Sequence, residues 1–378
     1  MKKWIIILIL GAVAYGCCDE VEPIDPSDDL TGIAYNPTSW TVDLPDTWPD
    51  LVIPADNPMT EEGIDLGRHL FYDKILSADN TQSCASCHSP VGAFTDNLAV
   101  SVGIDGIAGV RSSMSLVNIG LVQPVQDDTL GFLFWDGRSK SLEEQALLPV
   151  EDPIELHNEW TTVVKELKTS ELYPAKFRKA FGINSKQDIT KDLAAKAIAQ
   201  FERSLLSFNS KYDRIERGEL SYSDDEFDGF LRFIDDDDVA FQKQMECDHC
   251  HTLPLTTSNG FDNNALQAAE TLLDFADEGR GKVVGSIAKN GFFRIPTLRN
   301  IMQSAPYMHN GSLASIDEVL DHYLLGGHHS PNANSFIRDA ALGKKEYTAN
   351  DRVYIKAFLS TFTDTAFLNN PSIQDPFQ

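Results

Sequence analysis

Two copies of one short motif bring cysteine and histidine together. One copy is Cys84-Ala85-Ser86-Cys87-His88, and the other is Cys247-Asp248-His249-Cys250-His251. Two cysteines one helical turn apart can bond covalently to the two vinyl groups on one edge of a porphyrin. The histidine that follows then lies under the ring and can ligate its iron. The spacing therefore predicts two covalently bound haem c groups, held by Cys84, Cys87, His88 and by Cys247, Cys250, His251.

Two other uses of paired cysteines explain the motifs less well. A structural zinc site places its two Cys-x-x-Cys pairs about 15–20 residues apart, whereas these two pairs are separated by roughly a domain length. A thioredoxin-like redox pair accounts neither for the adjacent histidines nor for the duplication. Haem attachment is the interpretation that uses all six residues.

The separation of the motifs also predicts the architecture. One motif per domain gives a mostly α protein with two cytochrome c-like haem domains in tandem and extensive loops, which 18 prolines and 24 glycines support. We expect the first haem domain over 46–217 and the second over 218–378. Helical periodicity of apolar residues predicts helices over 61–73, 192–215, 224–233 and 315–325.

The first residues are typical of an export signal. A cationic start, Met1-Lys2-Lys3, precedes an apolar run that is too short to cross a membrane. The segment Ala14-Tyr15-Gly16-Cys17 resembles a bacterial lipobox. We therefore expect a lipoprotein signal peptide over 1–16, a lipid anchor on Cys17 and an extended tether over 17–45, which makes the protein periplasmic and membrane-anchored. Plain secretion with cleavage nearby is the alternative.

The charge balance restricts the partners. Against 31 Lys and Arg stand 57 Asp and Glu, for a formal net charge of −26. Such a surface repels nucleic acid and anionic lipid and attracts a basic protein. The acidic run over 235–238 is expected to be a solvated loop, with a calcium site there as the weaker alternative.

Several longer segments resemble one family. LGRHLFYD, SCASCH, FTDNLAVSVG, FLFWDGRSKSLEEQALLPVEDPIEL, PTLRN and APYMHNGSLASIDEVLDHY are similar to the bacterial di-haem cytochrome c peroxidase family, which includes the MauG-type enzymes. The resemblance extends from about Pro45 to Thr363. It implies a peroxidatic haem in the first domain, an electron-transfer haem in the second and a calcium ion between them.

The resemblance also assigns roles to single residues. Gln145 and Glu155 match the family's distal-pocket pair, and a carboxylate in an apolar pocket suits proton transfer during peroxide cleavage. Phe134 matches the aromatic residue that shapes the pocket, and Trp135 matches the tryptophan between the haems. Without the motif, Glu155 would be read as a surface carboxylate and Trp135 as core packing.

Three further positions follow from the resemblance in the same way. Asn118 matches the side-chain ligand of the calcium ion, and Ser304 and Pro306 match its carbonyl ligands. Tyr323 stands fourteen residues after His309, where the MauG branch has a tyrosine as the sixth ligand of the second haem. Met308 is the alternative, because methionine commonly ligates haem in cytochromes.

The segment 89–118 decides the expected state of the first haem. Many peroxidases of the family carry a histidine there that blocks the iron, and this segment contains none. We therefore expect an open first haem that is active without prior reduction.

The resulting hypothesis is a peroxidase that reduces hydrogen peroxide to water with electrons from a small cytochrome c or a cupredoxin. Its rivals are a MauG-like enzyme that oxidises a partner protein and a non-catalytic di-haem electron carrier. The oligomeric state stays open, with a homodimer among the alternatives.

Overall fold

The computed structural model describes residues 25–122, 132–234 and 245–378, which are mostly helical. Among these residues the strands are β1 Phe261–Asp262 and β2 Phe293–Arg294, which pair antiparallel with Phe261 opposite Arg294. The α-helices are α1 Glu61–Tyr72, α2 Cys84–Cys87, α3 Leu142–Glu151, α4 Trp160–Thr169, α5 Tyr173–Phe181, α6 Lys191–Arg203, α7 Lys211–Glu216, α8 Asp224–Phe233, α9 Arg280–Val284, α10 Ile316–Leu324, α11 Ser335–Ala341, α12 Ala349–Ser360 and α13 Thr365–Leu368.

Two hydrophobic cores organise these helices. The first core is built from α1, α3, α4, α5 and α6, and the second from α8, α10 and α12 with the loops around them. The prediction of a mostly α protein with two domains in tandem is therefore confirmed. Each core lies beside one Cys-x-x-Cys-His motif, because Cys84 packs against the first and Cys247 against the second.

Local sequence explains why α1 begins and ends where it does. The Thr60 hydroxyl accepts a hydrogen bond from the Gly63 amide, and acidic residues occupy the first turn, where the helix dipole favours them. Leu66 and Leu70 are fully buried on one face. At the other end, Asp73 leaves the helix and its carboxylate caps the following 3-10 turn by accepting from the Ile75 amide.

The same close helix crossing occurs once in each domain. α1 crosses α6 at Gly67, where an added Cβ would lie 1.9 Å from the Ala197 carbonyl oxygen. α8 crosses α12 at Gly229, where an added Cβ would lie 2.0 Å from the Tyr354 carbonyl oxygen. Only glycine permits such an approach. The repeated geometry supports an internal duplication of one haem domain.

Close to the predicted domain boundary at residue 217, the chain already contacts the second core. Tyr212, on α7, already packs on Phe358 and Phe362 of the second core. The predicted helix over 192–215 is correspondingly broken into α6 and α7, because an extended segment carries the chain from one core to the other.

The end of the chain returns to the first domain. Phe367 packs on Phe94 with 6.0 Å between ring centroids, and the Tyr72 hydroxyl donates to the Ile373 carbonyl oxygen at 2.6 Å. Residues from about 364 onward therefore cover the first core, although the sequence placed them in the second domain.

The predicted tether is described only from residue 25. There it packs on the first domain rather than extending freely: Leu30 is buried and its amide donates to the Asn184 carbonyl oxygen, and Ser39 forms a bridge with Thr60. The signal peptide, Cys17 and the acidic run over 235–238 lie outside the described residues. Within the described ranges, no helix has the length and apolar character of a membrane span.

Candidate functional site

The first motif ends in a histidine with a defined orientation. Cys84 and Cys87 lie on α2, which is a single helical turn, and His88 is its C-cap residue. The His88 Nδ1 lies 3.0 Å from the Phe94 carbonyl oxygen. Because a carbonyl only accepts, Nδ1 carries the hydrogen, which leaves the Nε2 lone pair available to a metal. Burial lowers the pKa of His88, which favours the neutral ring that a metal ligand requires.

The second motif repeats this arrangement. Cys247 starts one turn of 3-10 helix, and His251 places its Nδ1 3.1 Å from the Thr256 carbonyl oxygen and 3.2 Å from that of Pro296. None of the four motif cysteines forms a disulfide with another described residue. Burial raises the pKa of Cys87 to about 11 and that of Cys250 to about 11. Each motif thus presents two cysteine sulfurs that no disulfide occupies and one oriented imidazole, the residues that hold a haem c.

A large cavity beside the second motif allows a direct test of whether haem fits. The cavity has a volume of about 220 Å³ and is lined by apolar side chains together with Cys247, Cys250 and His251. Arg294 also lines it, is buried, and its Nε has no hydrogen-bond partner among the described residues. Burial lowers the pKa of Arg294 to about 10. A buried cation requires an anion, and the propionate groups of haem supply one, so the residues fit the cofactor.

Both candidates for the sixth ligand of the second haem line this cavity. Tyr323, on α10, and Met308, in the loop before it, lie there with His251. Asn264 contacts both: its Nδ2 lies 3.2 Å from the Met308 sulfur, and its side chain hydrogen-bonds Tyr323. Burial raises the pKa of Tyr323 to about 12, and the hydrogen bond from Asn264 opposes the shift. Sequence reasoning missed Asn264, because an asparagine in a loop belongs to no motif.

Glu155 lies at the first motif. It stands on the loop after α3, where its carbonyl oxygen accepts from the Ile104 amide at 3.1 Å. Its carboxylate is close enough to Cys84 and Cys87 to add to the rise in their thiol pKa values, which burial dominates. Burial raises the pKa of Glu155 itself, Asp152 adds to this, and Arg138 opposes it. Gln145 lies on α3, ten residues earlier in the chain.

Phe134 and Trp135 occupy the turn between the domains. Phe134 adopts a left-handed backbone conformation, with φ of 65°, and the Arg138 guanidinium lies 3.5 Å above its ring. The Trp135 indole donates to the Ser112 carbonyl oxygen at 2.8 Å, and the Trp135 carbonyl oxygen accepts from the Arg294 amide at 2.8 Å. Trp135 also lines the second cavity. It therefore belongs to the first domain by sequence and contacts the second haem site by structure.

Two groups that the sequence analysis did not assign hold this turn in place. Arg111 bridges the domains, with Asp136 at 2.6 Å on one side and Asp277 at 2.7 Å on the other. His309 stacks on Phe293 with 3.6 Å between ring centroids and meets Trp135 edge to face at 6.5 Å. Burial lowers the pKa of His309 to about 4, so the imidazole packs there uncharged.

The predicted calcium ligands are not brought together by the described contacts. Asn118 pairs with Ser207: its Oδ1 accepts from the Ser207 amide at 2.7 Å, and its Nδ2 donates to the Ser207 carbonyl oxygen at 3.1 Å. Beside Ser304 and Pro306 lies Asn97 instead, whose Nδ2 donates to the carbonyl oxygens of residues 303 and 305. An amide nitrogen is no ligand for calcium. Calcium binding by Asn118, Ser304 and Pro306 therefore stays a prediction, and no step is assigned to the ion.

The fold and the two sites define a di-haem protein of the cytochrome c type, and the comparisons specify its family. The family model of the di-haem cytochrome c peroxidases matches residues 61–221. The methylamine utilization protein MauG of Methylorubrum extorquens is 32% identical over 311 residues, covering 82% of this chain and 80% of that protein. The chain belongs to the di-haem cytochrome c peroxidase family, and the two haem c groups expected from its motifs are those of the family.

Two further relatives represent the two kinds of protein in the family, the peroxidases and the MauG-type proteins. Cytochrome c551 peroxidase of Nitrosomonas europaea is 31% identical over 273 residues, covering 71% of this chain and 75% of that protein. The solved structure of a MauG-like protein associated with microbial copper homeostasis matches with a TM-score of 0.77 and 32% identity, covering 90% of this chain and 100% of that one. The chain is thus similar to peroxidases and to MauG-type proteins at nearly the same level of identity.

Proposed function

We propose that this protein is a peroxidase that reduces hydrogen peroxide to water with electrons from a small electron-donor protein. The overall reaction consumes one peroxide, two electrons and two protons and yields two waters. The observation that carries the proposal is Glu155, a half-buried carboxylate near the first motif whose pKa is raised by partial burial. The haem bound through His88 supplies the iron at which peroxide is reduced.

Glu155 performs the proton transfer in this proposal. Cleavage of peroxide to water requires one proton to move from one oxygen atom to the other before the bond between them breaks. A carboxylate with a raised pKa takes up that proton readily and returns it within the same pocket. Gln145, whose amide can both donate and accept, orients the peroxide. The segment 89–118 contains no histidine that could occupy the iron face instead.

Trp135 connects the two sites. Its indole is held by Ser112, its carbonyl oxygen by the amide of Arg294, and its ring lines the second cavity. We propose that this side chain would supply a path for electrons between a haem bound through His251 and one bound through His88. Arg111 holds the two domains together at this turn, because it pairs with Asp136 of the first domain and with Asp277 of the second.

Steady-state oxidation of a reduced small cytochrome c by hydrogen peroxide tests the proposal. The Glu155→Gln variant should lose about 100-fold or more in kcat while both haems remain attached, as their absorbance reports. Glu151→Gln is the matched control, because Glu151 is an exposed carboxylate four residues earlier. The wild-type protein should turn over without pre-reduction. Unchanged turnover in Glu155→Gln would overturn the assignment of the proton carrier.

A MauG-like oxidation of a partner protein is the second candidate, and Tyr323 favours it. This residue lines the second cavity, and a phenolate ligand would stabilise the oxidised form of the second haem. The reaction of peroxide-oxidised protein with reduced cytochrome c separates the two functions. Rapid return to the resting spectrum supports the peroxidase. A spectrum that persists for many turnover times in excess reduced cytochrome overturns it and favours protein oxidation.

A non-catalytic electron carrier is separated by the spectrum of the oxidised protein. An open first haem gives a high-spin component, whereas two haems closed by protein ligands are both low-spin. A purely low-spin spectrum would exclude the open site on which the peroxidase proposal depends.

We further propose that the protein is exported to the periplasm and anchored through a lipid on Cys17. The lipobox-like segment before Cys17 supports this. Metabolic labelling with radioactive palmitate should mark the wild-type protein and fail to mark Cys17→Ala, with Cys18→Ala as the control. Unlabelled wild-type protein in the soluble periplasmic fraction would indicate plain secretion. The donor is proposed to be a cytochrome c or a cupredoxin with a basic surface.

A further inference from the structure

A second buried carboxylate lies in the first domain and has no part in the function proposed above. Glu202, near the end of α6, is 4% exposed. Its Oε2 atom is buried and has no hydrogen-bond partner among the described residues. Burying a carboxylate oxygen without a hydrogen-bond partner costs free energy. A contribution to the stability of the fold therefore does not explain why a glutamate occupies this position.

The charged neighbours of Glu202 leave it largely uncompensated. Arg203, next to it on α6, is engaged with Glu143 of α3 at 3.0 Å. Burial raises the pKa of Glu202 to about 8; Arg203 opposes the shift and Glu143 adds to it. On the side of α2, Glu202 is near enough to Cys84 to raise that thiol's pKa further. Glu202 therefore lies near Cys84, one of the two cysteines expected to bind the first haem.

The internal duplication indicates which way Glu202 faces. At the first helix crossing Gly67 contacts Ala197 and Phe201, and at the second Gly229 contacts Tyr354 and Phe358. The residue after each of these phenylalanines is then equivalent: Glu202 in the first domain corresponds to Leu359 in the second. Leu359 lines the cavity of the second haem. Glu202 accordingly occupies a position that faces the haem, with a carboxylate where the sister domain has an apolar side chain.

We propose that Glu202 is a redox-linked proton acceptor for the first haem. Glu202 takes one proton from solvent when that haem gains one electron from an external donor protein, and returns the proton to solvent when the electron leaves. The carboxylate becomes a carboxylic acid and no bond to iron forms or breaks. The physical cause is Coulombic: the oxidised haem carries one more positive charge than the reduced haem and so favours the anionic neighbour.

This role does not depend on peroxide chemistry. It requires only a haem on the first motif, so it stands or falls separately from the peroxidase proposal. It also differs from the role of Glu155, which exchanges a proton with the substrate. The equivalent Leu359 cannot titrate, so the second haem lacks such a coupling through this position.

The pH dependence of the reduction potential of the first haem tests the proposal. In spectroelectrochemical titrations of the holoprotein, this potential should fall as pH rises through the region around 8. The variants Glu202→Gln and Glu202→Leu should lose this dependence, and the latter installs the residue found in the second domain. Glu171→Gln, which removes an exposed carboxylate of the same domain, should keep it. The potential of the second haem should respond to none of these changes.

Infrared difference spectroscopy gives an independent readout on the wild-type protein. Reduction of the first haem should produce the carbonyl band of a protonated carboxylic acid, and the Glu202→Gln variant should lack that band. Equal pH dependence in wild type and Glu202→Gln would overturn the proposal. So would the absence of the carboxylic acid band from the wild-type spectrum, even if both variants failed to bind haem.

Discussion

At the scale of single residues, backbone carbonyls determine what the two motif histidines can do. His88 and His251 each direct Nδ1 at carbonyl oxygens of the loop that follows the motif. This leaves Nε2 as the ligand atom and increases its basicity. The same scale separates two carboxylates, half-buried Glu155 and buried Glu202. Burial raises the pKa of both, but one belongs to the proposed peroxide pocket and the other to a position that faces the haem from α6.

The pH profile of turnover should report Glu155. The proposed transfer needs its carboxylate form at the start, so the rate of reaction with peroxide should rise with pH through the pKa of Glu155. Because burial raises that pKa, the rise should lie above the ordinary glutamate value of 4.5. Stopped-flow kinetics against pH measure it, with Glu151→Gln as control. A rate of reaction with peroxide that does not change with pH in the acidic range would contradict the role of Glu155 as proton acceptor.

The identity of the sixth ligand of the second haem can be decided by two single variants. If Tyr323 is the ligand, Tyr323→Met should raise the reduction potential of the second haem, because thioether sulfur stabilises the reduced iron better than phenolate. Met308→Leu should then leave the low-spin spectrum of that haem unchanged. The reverse outcome, a spectrum altered by Met308→Leu and untouched by Tyr323→Met, would assign Met308.

At the scale of elements, the two helix crossings hold the haem domains together. Gly67 and Gly229 let one helix touch the backbone of its partner. The contact is direct, since no side chain stands between the helices, and it positions the residues of α6 and α12 that face the cofactor. Glu202 and Leu359 are equivalent positions of this element that carry different side chains.

Replacing Gly67 by alanine should destabilise the first domain by about 1–3 kcal/mol, because the added methyl group overlaps the Ala197 carbonyl. Helix propensity alone predicts the opposite, because alanine is more favourable than glycine inside a helix. Chemical denaturation followed by circular dichroism and haem absorbance measures it. Gly32→Ala is the control, since an added Cβ there has open space around it. Equal stability of both variants would show that α1 shifts without cost.

At the scale of the whole molecule, the net charge and the interdomain turn are the features that the proposed electron transfer depends on. Acidic residues outnumber basic ones by far, 57 to 31. Arg111 and Trp135 tie the two domains to each other, and the chain end from Phe367 returns to the first core. The two sites are therefore held by one continuous structure, although each motif lies in its own domain.

The acidic surface predicts a strong salt effect on the donor reaction. With a basic cytochrome c, kcat/KM should fall steadily as ionic strength increases from about 0.01 to 0.5 M, because salt screens the attraction that steers encounter. The rate of reaction with the uncharged peroxide should stay constant and serves as control. A kcat/KM for cytochrome c that is insensitive to salt would contradict steering by the net charge.

Local spacing made the cofactor chemistry readable from the amino-acid sequence alone. The two cysteines and the histidine of each motif lie within about one helical turn, so their relation to a haem needs no knowledge of distant contacts. The helices around Leu66, Phe230 and Leu320 are likewise local, since apolar periodicity and capping residues determine them. The family resemblance added the expected roles of Glu155 and Trp135.

Only the tertiary structure decided the features that depend on residues far apart in the chain. Three features have no signal in the sequence: the pairing of Asn118 with Ser207, and the Arg294 Nε and Glu202 Oε2 atoms, which are buried without a hydrogen-bond partner in the part of the chain that the structure describes. Each depends on which buried groups meet, and burial and partner together determine the energy of a charge. The sequence by itself thus determined which cofactor this protein carries, and the packing of distant segments decided which charges surround it.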